Sequence, residues 1–418
     1  MSTSNTSIVR IGLDDTDHPE FGCTTHSFHD LLSNLTTIPS VIVLERMLVR
    51  LWPYASRRTR GNGALSATLE IPSESKIQFI DSCAEWFDSL LSEISHYPEI
   101  SNSATPALLI SFDQAPPKWY WETVRGEVNL VDRESEIRSS GVTIFSHPDN
   151  WGMVGASAAI SWEPGINHSW ELIAWREDSK IGSRRAVSKD SVFEMSKLFP
   201  ETFLNRDPTA DKGIIAPRTP CPVLYGIRGS SKDAVESANS WLQHKNSTEK
   251  CLDWASHKTN QLSDDHLPGP MSGTVITSPE VLKGAHASLK VISGGKGETL
   301  VAFSEGGPVN KLLRQLSPGD RISWMGLISP DRSIHLERLR IESASPRISS
   351  RPRCCGKSMR SKGRNQPLFC LRCGNKESKI WLSDNWSPVG VPSIDGWVQP
   401  PPSQRRHLSM PLEHGIPA

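Results

Sequence analysis

The sequence predicts a multidomain α+β chain, and three observations predict it. Short apolar strands alternate with amphipathic helices through the first half. Five short strand-like runs then follow one another between residues 273 and 341. Four of the eight cysteines, Cys354, Cys355, Cys370 and Cys373, crowd into one short window. At 418 residues the chain is longer than a single hydrophobic core normally supports, so roughly two to four domains are expected.

Residues 8–13 form a short apolar run that ends directly in Asp14-Asp15-Thr16-Asp17, a strand that delivers acids at its carboxyl end. After a turn at Pro19 to Gly22, Phe28, Leu31, Leu32 and Leu35 follow helical spacing, with Thr24 or Thr25 as the expected N-cap. Residues 41–52 and 64–71 read as further strands, and 107–112 as another. Between the last two, apolar positions from Ile77 to Ile94 mark an amphipathic helix. A second unit spans about 118–244, where residues 170–175 resemble a strand and 222–227 precede a helix at 232–242, as in a small α/β sandwich. Residues 245–271 are polar with little periodicity and read as a linker. The runs at 273–277, 287–292, 299–303, 321–327 and 334–341 suggest a five-stranded barrel of the OB type, with Ser317-Pro318-Gly319-Asp320 as a corner.

Composition narrows the function. Hydrophobic residues make up 37% and charged residues 22%, and no apolar run approaches the roughly 20 residues that span a bilayer. The first ten residues lack the basic-then-apolar pattern of a secretory signal, so a cytoplasmic protein is expected. Formal net charge is zero, so any nucleic-acid surface must come from local clusters. Two exist, one at Arg57, Arg58 and Arg60, the other running from Arg347 to Arg364.

Asp14, Asp15 and Asp17 would repel one another at a buried strand end unless a cation neutralised them, and magnesium with nucleotide phosphates suits such hard oxygen ligands. A capping turn without metal is the alternative. Thr24 and Thr25, at a helix start, could contact a phosphoryl group or serve as plain caps. Thr59-Arg60-Gly61-Asn62-Gly63-Ala64 offers a cation and backbone amides for a nucleotide loop, or an ordinary Asn-Gly hairpin turn. Cys370-Leu371-Arg372-Cys373-Gly374 has zinc-knuckle spacing, whereas Cys354 and Cys355 are adjacent and reach one metal only if the backbone bends between them. Trp381, Trp386 and Trp397 could stack on bases or pack on their own domain, and Arg405, Arg406 and His407 could touch phosphates.

In this order, these motifs resemble the archaeal agmatidine synthetases of isoleucine tRNA. The resemblance runs almost end to end, from Ile11-Gly12-Leu13-Asp14-Asp15-Thr16-Asp17 and Cys23-Thr24-Thr25 through Gly155-Ala156-Ser157-Ala158-Ala159-Ile160, Glu171-Leu172-Ile173-Ala174-Trp175-Arg176 and Gly226-Ile227-Arg228-Gly229 to Arg405-Arg406-His407-Leu408-Ser409. It implies an ATP-dependent ligase that attaches agmatine to carbon 2 of the wobble cytidine in a CAU anticodon, so that the tRNA reads AUA. It also implies a kinase-like catalytic domain over 1–120, a ferredoxin-like domain over 121–245, a linker over 246–271, an OB fold over 272–345, a zinc-ribbon module over 346–378 and a basic tail over 379–418. Asp14, Asp15 and Asp17 are then the magnesium and ATP-phosphate ligands and Thr24 an autophosphorylated residue, with Thr25, Arg60, Gly61, Asn62 and Gly63 at the nucleotide. The partners implied are isoleucine tRNA and agmatine. Two rivals from other classes remain: a non-catalytic RNA-binding protein built on the barrel and cysteine module, and a magnesium-dependent kinase of another substrate.

Overall fold

The structure, a computed structural model, describes residues 5–17, 22–58, 61–96, 104–165, 168–347, 351–379 and 386–417. The chain divides into two compact units, 1–267 with 401–411, and 268–400 with 412–418.

The first unit is built on a nine-stranded sheet. In chain order its elements are β1 (Thr6–Asp14), α1 (Thr24–Leu35), β2 (Ile42–Arg50), β3 (Gly63–Pro72), α2 (Lys76–Ile94), β4 (Ala107–Ser111), α3 (Lys118–Arg125), α4 (Leu130–Ser139), β5 (Thr143–Ser146) and α5 (Gly152–Ser161). There follow β6 (Ser169–Trp175), α6 (Lys189–Leu198), β7 (Thr202–Phe203), a small hairpin of β8 (Arg206–Asp207) and β9 (Lys212–Gly213), β10 (Val223–Gly229), α7 (Lys232–Gln243) and β11 (Asp253–Thr259). The strand order is β5-β4-β1-β3-β2-β11-β6-β10-β7, and its described pairings are antiparallel except that of β11 with β2.

β1 shows how the sheet is covered. Val9, Ile11 and Leu13 point to one face and pack on Phe28, Leu31 and Leu32 of α1 and Phe79 and Phe87 of α2, all essentially excluded from water. Residues of the other parity face α5, which lies so close that a Cβ on Gly12 would stand 2.7 Å from the carbonyl oxygen of Ala156. That approach is why α5 is written in small residues, Gly155-Ala156-Ser157-Ala158-Ala159.

Three sequence expectations are corrected here. The expected linker 246–271 contains β11, which joins the two halves of the sheet. Its interior is polar, with Ser256, His257 and Thr259 buried, so it lacks the apolar alternation by which strands are recognised. Helix α3, which straddles the expected boundary at residue 120, packs on α5 beyond it, and α5 lies on β1, β3 and β4. The expected tail 379–418 is not one module: Trp397–Val398 pairs with the last barrel strand, while 401–411 returns to the first unit.

In the second unit, β12 (Met271–Val275), β13 (Glu280–Val281), β14 (Ala287–Ser293), β15 (Lys296–Ala302), α8 (Pro308–Leu313), β16 (Arg321–Ile328) and β17 (Ile334–Ser343) follow in order. Neighbours run β12-β16-β17-β15-β14, and β14 pairs back with β12, which closes a five-stranded barrel. Its core includes Val275, Leu289, Leu300, Leu313, Trp324 and Leu339. Trp397 is buried at 2% exposure and is not available to stack on a base, Trp386 lies beneath the Arg347 guanidinium, and Trp381 lies outside the described residues.

Candidate functional site

β1 ends at Asp14, and Asp15 turns the chain with φ 61°. The three carboxylates then separate. Asp14 reaches towards α5, where a Cβ on Gly155 would fall 1.8 Å from its Oδ2, so only glycine leaves room for it. Asp15 Oδ2 accepts the Thr105 hydroxyl at 2.6 Å and its backbone N–H at 3.2 Å. Asp17 Oδ1 accepts the Thr24 backbone N–H at 2.5 Å and its hydroxyl at 2.7 Å. Asp17 therefore satisfies a free amide at the start of α1, and Thr24 is the first helical residue rather than the cap, a place held by Cys23.

Asp14 and Asp15 line a cleft of about 670 Å³, closed from the other sides by the 51–58 segment with Arg57 and Arg58, by Asn62 and Gly63, by 126–128 and by Trp151 and Gly155. Burial raises the Asp14 carboxyl well above the usual carboxylate range, and the neighbouring Asp15 and Asp17 add to it. Burial also lifts Asp15 to about 6, against the Thr105 hydrogen bonds and the Arg57 charge. Two half-buried acids that resist ionisation, lining a cleft with Arg57 and Arg58, suit a cation bridging to an anionic ligand.

Asn62 and Gly63 are at this cleft and Gly61 is in the adjoining one. β2 and β3 are an antiparallel pair, but twelve residues separate Arg50 from its partner Gly63, so the Asn62-Gly63 step is not a tight two-residue hairpin turn. Thr25 does not line the cleft: its hydroxyl accepts the Nε1–H of Trp175 at 3.1 Å. Thr59 and Arg60 lie outside the described residues.

Glu171, 2% exposed on β6, is the centre of a charged cluster to which the sequence reading assigned no role. Its carboxylate meets Arg50 at 3.0 Å and Arg228 at 3.3 Å and accepts from the Gln261 amide. Burial alone would raise this carboxyl, but the two guanidinium groups hold it at about 2. The signal was present in sequence as charges inside the strand-like motifs Glu171 to Arg176 and Gly226 to Gly229.

Cys354, Cys355, Cys370 and Cys373 bring their sulfurs within 4.8 Å of one another. Cys355 stands at φ 52°, the left-handed bend that lets adjacent cysteines face one centre. Four thiol groups so gathered fit a tetrahedral zinc, for which sulfur separations of about 3.8 Å follow from Zn–S bonds of about 2.3 Å.

The comparisons with known proteins are consistent along the chain. The family model described as "TiaS TCKD domain" matches residues 10–149 and "TiaS FLD domain" matches 150–266. A protein of Methanosarcina mazei, named as TiaS, the 2-agmatinylcytidine synthetase of an isoleucine tRNA, is 30% identical over 96% of this chain and 96% of its own. The chain belongs to the TiaS family. A Pyrococcus horikoshii protein of the same name is 30% identical over 97% of each chain. Among solved structures, that of a TiaS in complex with an isoleucine tRNA and ATP superposes with a TM-score of 0.83 at 26% identity, covering 98% of both chains. Another, of a TiaS with an isoleucine tRNA, AMPCPP and agmatine, has a TM-score of 0.80 at 25% identity and the same coverage. The family thus combines the mixed α/β unit and the five-stranded barrel in one chain.

Proposed function

We infer that this chain is an ATP-dependent ligase that attaches agmatine to carbon 2 of the wobble cytidine in the CAU anticodon of isoleucine tRNA, giving agmatidine, so that the tRNA reads AUA. The observation that carries the reading is the cleft at the end of β1, where Asp14 and Asp15 face a wall bearing Arg57 and Arg58 in a chain whose family is named for this reaction.

The chemistry explains why a phosphate-handling site is needed. The carbon-2 oxygen of cytidine is a poor leaving group, so it must be phosphorylated before an amine can displace it. ATP supplies the phosphoryl group. Asp14 and Asp15 are the residues that would hold magnesium at the ATP phosphates, and bound magnesium would neutralise charge that builds on those oxygens. Asp17 takes a different part: it orients the Thr24 hydroxyl, the acceptor for self-phosphorylation, and is placed to receive its proton. Asn62 and Gly63 border the nucleotide, with Gly61 beyond them, while Thr25 helps to seat α1 against Trp175.

The finer fold assignments follow the same reading. The β1–β5 half with α1–α4 is the kinase-like catalytic domain, and β6–β11 with α6 and α7 the ferredoxin-like domain, whose family model begins at residue 150 and so takes in α5, although α5 packs on β1, β3 and β4. The closed barrel, with α8 between its third and fourth strands, supports an OB fold. The cysteine cluster supports a zinc ribbon, in which zinc would pin two otherwise core-poor turns. No described helix is long and apolar enough to cross a membrane. We place the protein in the cytoplasm, with its tRNA.

Asp14→Asn and Asp15→Asn test the reading. Loss of ATP turnover with tRNA binding retained is the expected result. Unchanged modification activity would favour a non-catalytic RNA-binding protein, and phosphorylation without agmatine transfer a kinase of another substrate.

A further inference from the structure

A second cleft, of about 610 Å³, is lined by Arg50, Leu51, Pro53, Arg58, Gly61 and Asn62 and by the returning segment 406–408, and shares Leu51, Arg58 and Asn62 with the acid-lined cleft. Arg50, Arg58, Arg406 and His407 line it. Arg406 is oriented by Tyr54, whose ring lies 4.8 Å from the guanidinium and whose hydroxyl accepts from it at 2.8 Å. Arg50 donates to the Gly61 carbonyl at 3.1 Å, and its buried Nε has no hydrogen-bond partner among the described residues. Arg50 is already paired with Glu171, so Arg58 and Arg406 are the cations that suit an anion here.

His407 is different. The Gln261 amide donates to Glu171, so the Gln261 oxygen is the atom turned to His407 Nδ1, at 3.2 Å. Nδ1 must then carry the proton, and Nε2 is left as a lone-pair acceptor. It lies on the Gly61 side, where a Cβ added to Gly61 would come 3.9 Å from it. Local desolvation, then the Arg50 and Arg228 charges beside it, lower the imidazole's pKa well below its ordinary value, although part of the ring's surface is open to solvent. The cleft thus combines cations with a fixed side-chain acceptor, which suits a ligand carrying both a negative group and a hydroxyl.

We propose that this cleft is a ribose-phosphate subsite, in which Arg58 and Arg406 take the phosphate and His407 Nε2 accepts a hydrogen bond from a ribose hydroxyl. The proposal rests on the function inferred above, since both ATP and tRNA bring ribose phosphates, and the experiment separates them. Full-length protein is titrated with ATP and 2′-deoxy-ATP, and with isoleucine tRNA carrying ribose or deoxyribose at the anticodon nucleotides. The wild type loses about fivefold in affinity for one of the two deoxy ligands, the loss of one hydrogen bond, and that ligand names the source. His407→Phe binds the ribose and deoxyribose forms equally. Arg406→Gln, a second variant should the first not fold, weakens that same ligand while keeping the ribose preference. Equal binding of both sugars by the wild type, discrimination retained in His407→Phe, or Arg406→Gln binding as tightly as wild type overturns the proposal. Failure of the wild type to bind ATP or tRNA at all would overturn the inferred function instead.

Discussion

Asp17 and Thr24 are joined twice: one carboxylate oxygen accepts both the backbone N–H and the hydroxyl of the threonine, at 2.5 and 2.7 Å. Under the proposed function this is the hydroxyl that takes the phosphoryl group, and a carboxylate already accepting its proton would remove that proton as the oxygen attacks. The backbone bond makes the same acid responsible for where α1 begins. Chemistry and fold therefore meet in one side chain.

The first prediction separates those roles. Asp17→Asn keeps an oxygen for the Thr24 amide but cannot take a proton, so labelling of the protein by γ-labelled ATP should fall by about 100-fold or more with little loss of thermal stability. Thr24→Val should abolish the label outright. A label that persists in Thr24→Val would move the acceptor elsewhere.

A second concerns Gly155. A methyl group there would collide with the Asp14 carboxylate at 1.8 Å. Gly155→Ala should shift that carboxylate, lower stability by about 1–3 kcal/mol, and remove ATP turnover while tRNA binding survives. Wild-type ATP turnover in this variant would show that Asp14 need not stand where it does.

Glu171 gives the pH dependence. Its folded carboxyl, held at about 2 after burial is outweighed by Arg50 and Arg228, lies below the unfolded value. The group therefore contributes stability above about pH 4.5, which is lost as pH falls through that value towards 2. Glu171→Gln should destabilise by about 3 kcal/mol at pH 7, because Arg50 and Arg228 are left half-buried without their anion, and the gap from wild type should narrow below about pH 4.5 and close as pH approaches about 2. Denaturant melts across pH check this; a gap independent of pH would refute the charge account.

For the cysteine module, metal analysis should find about one zinc per chain. Cys355→Ser should lose it, since the left-handed bend at this residue brings adjacent thiols to one centre. A wild-type chain free of zinc after purification without chelators would contradict the ribbon assignment.

Much of this was legible in the sequence where burial is apolar and periodic. Val9, Ile11 and Leu13 announced β1, the spacing of Phe28, Leu31, Leu32 and Leu35 announced α1, and the five barrel strands stood at the expected places. What was illegible is polar and buried. β11 hides Ser256, His257 and Thr259 inside the sheet, and hydrophobic patterning cannot register a strand whose buried face is polar. The return of 401–411 to the first unit depends on contacts such as His407 with Gln261, far apart along the chain. The site was half legible. Asp14 and Asp15 line one cleft, but the grouping of three adjacent acids concealed that Asp17 turns to Thr24, and the small residues of α5 gave no hint that Gly155 makes room for Asp14.

The central claim is tested most directly by mass spectrometry of isoleucine tRNA after incubation with the purified protein, ATP, magnesium and agmatine, with each omitted in turn. The wobble cytidine should gain the agmatine mass only when ATP and agmatine are both present. An unmodified cytidine under conditions in which the protein consumes ATP would contradict the account.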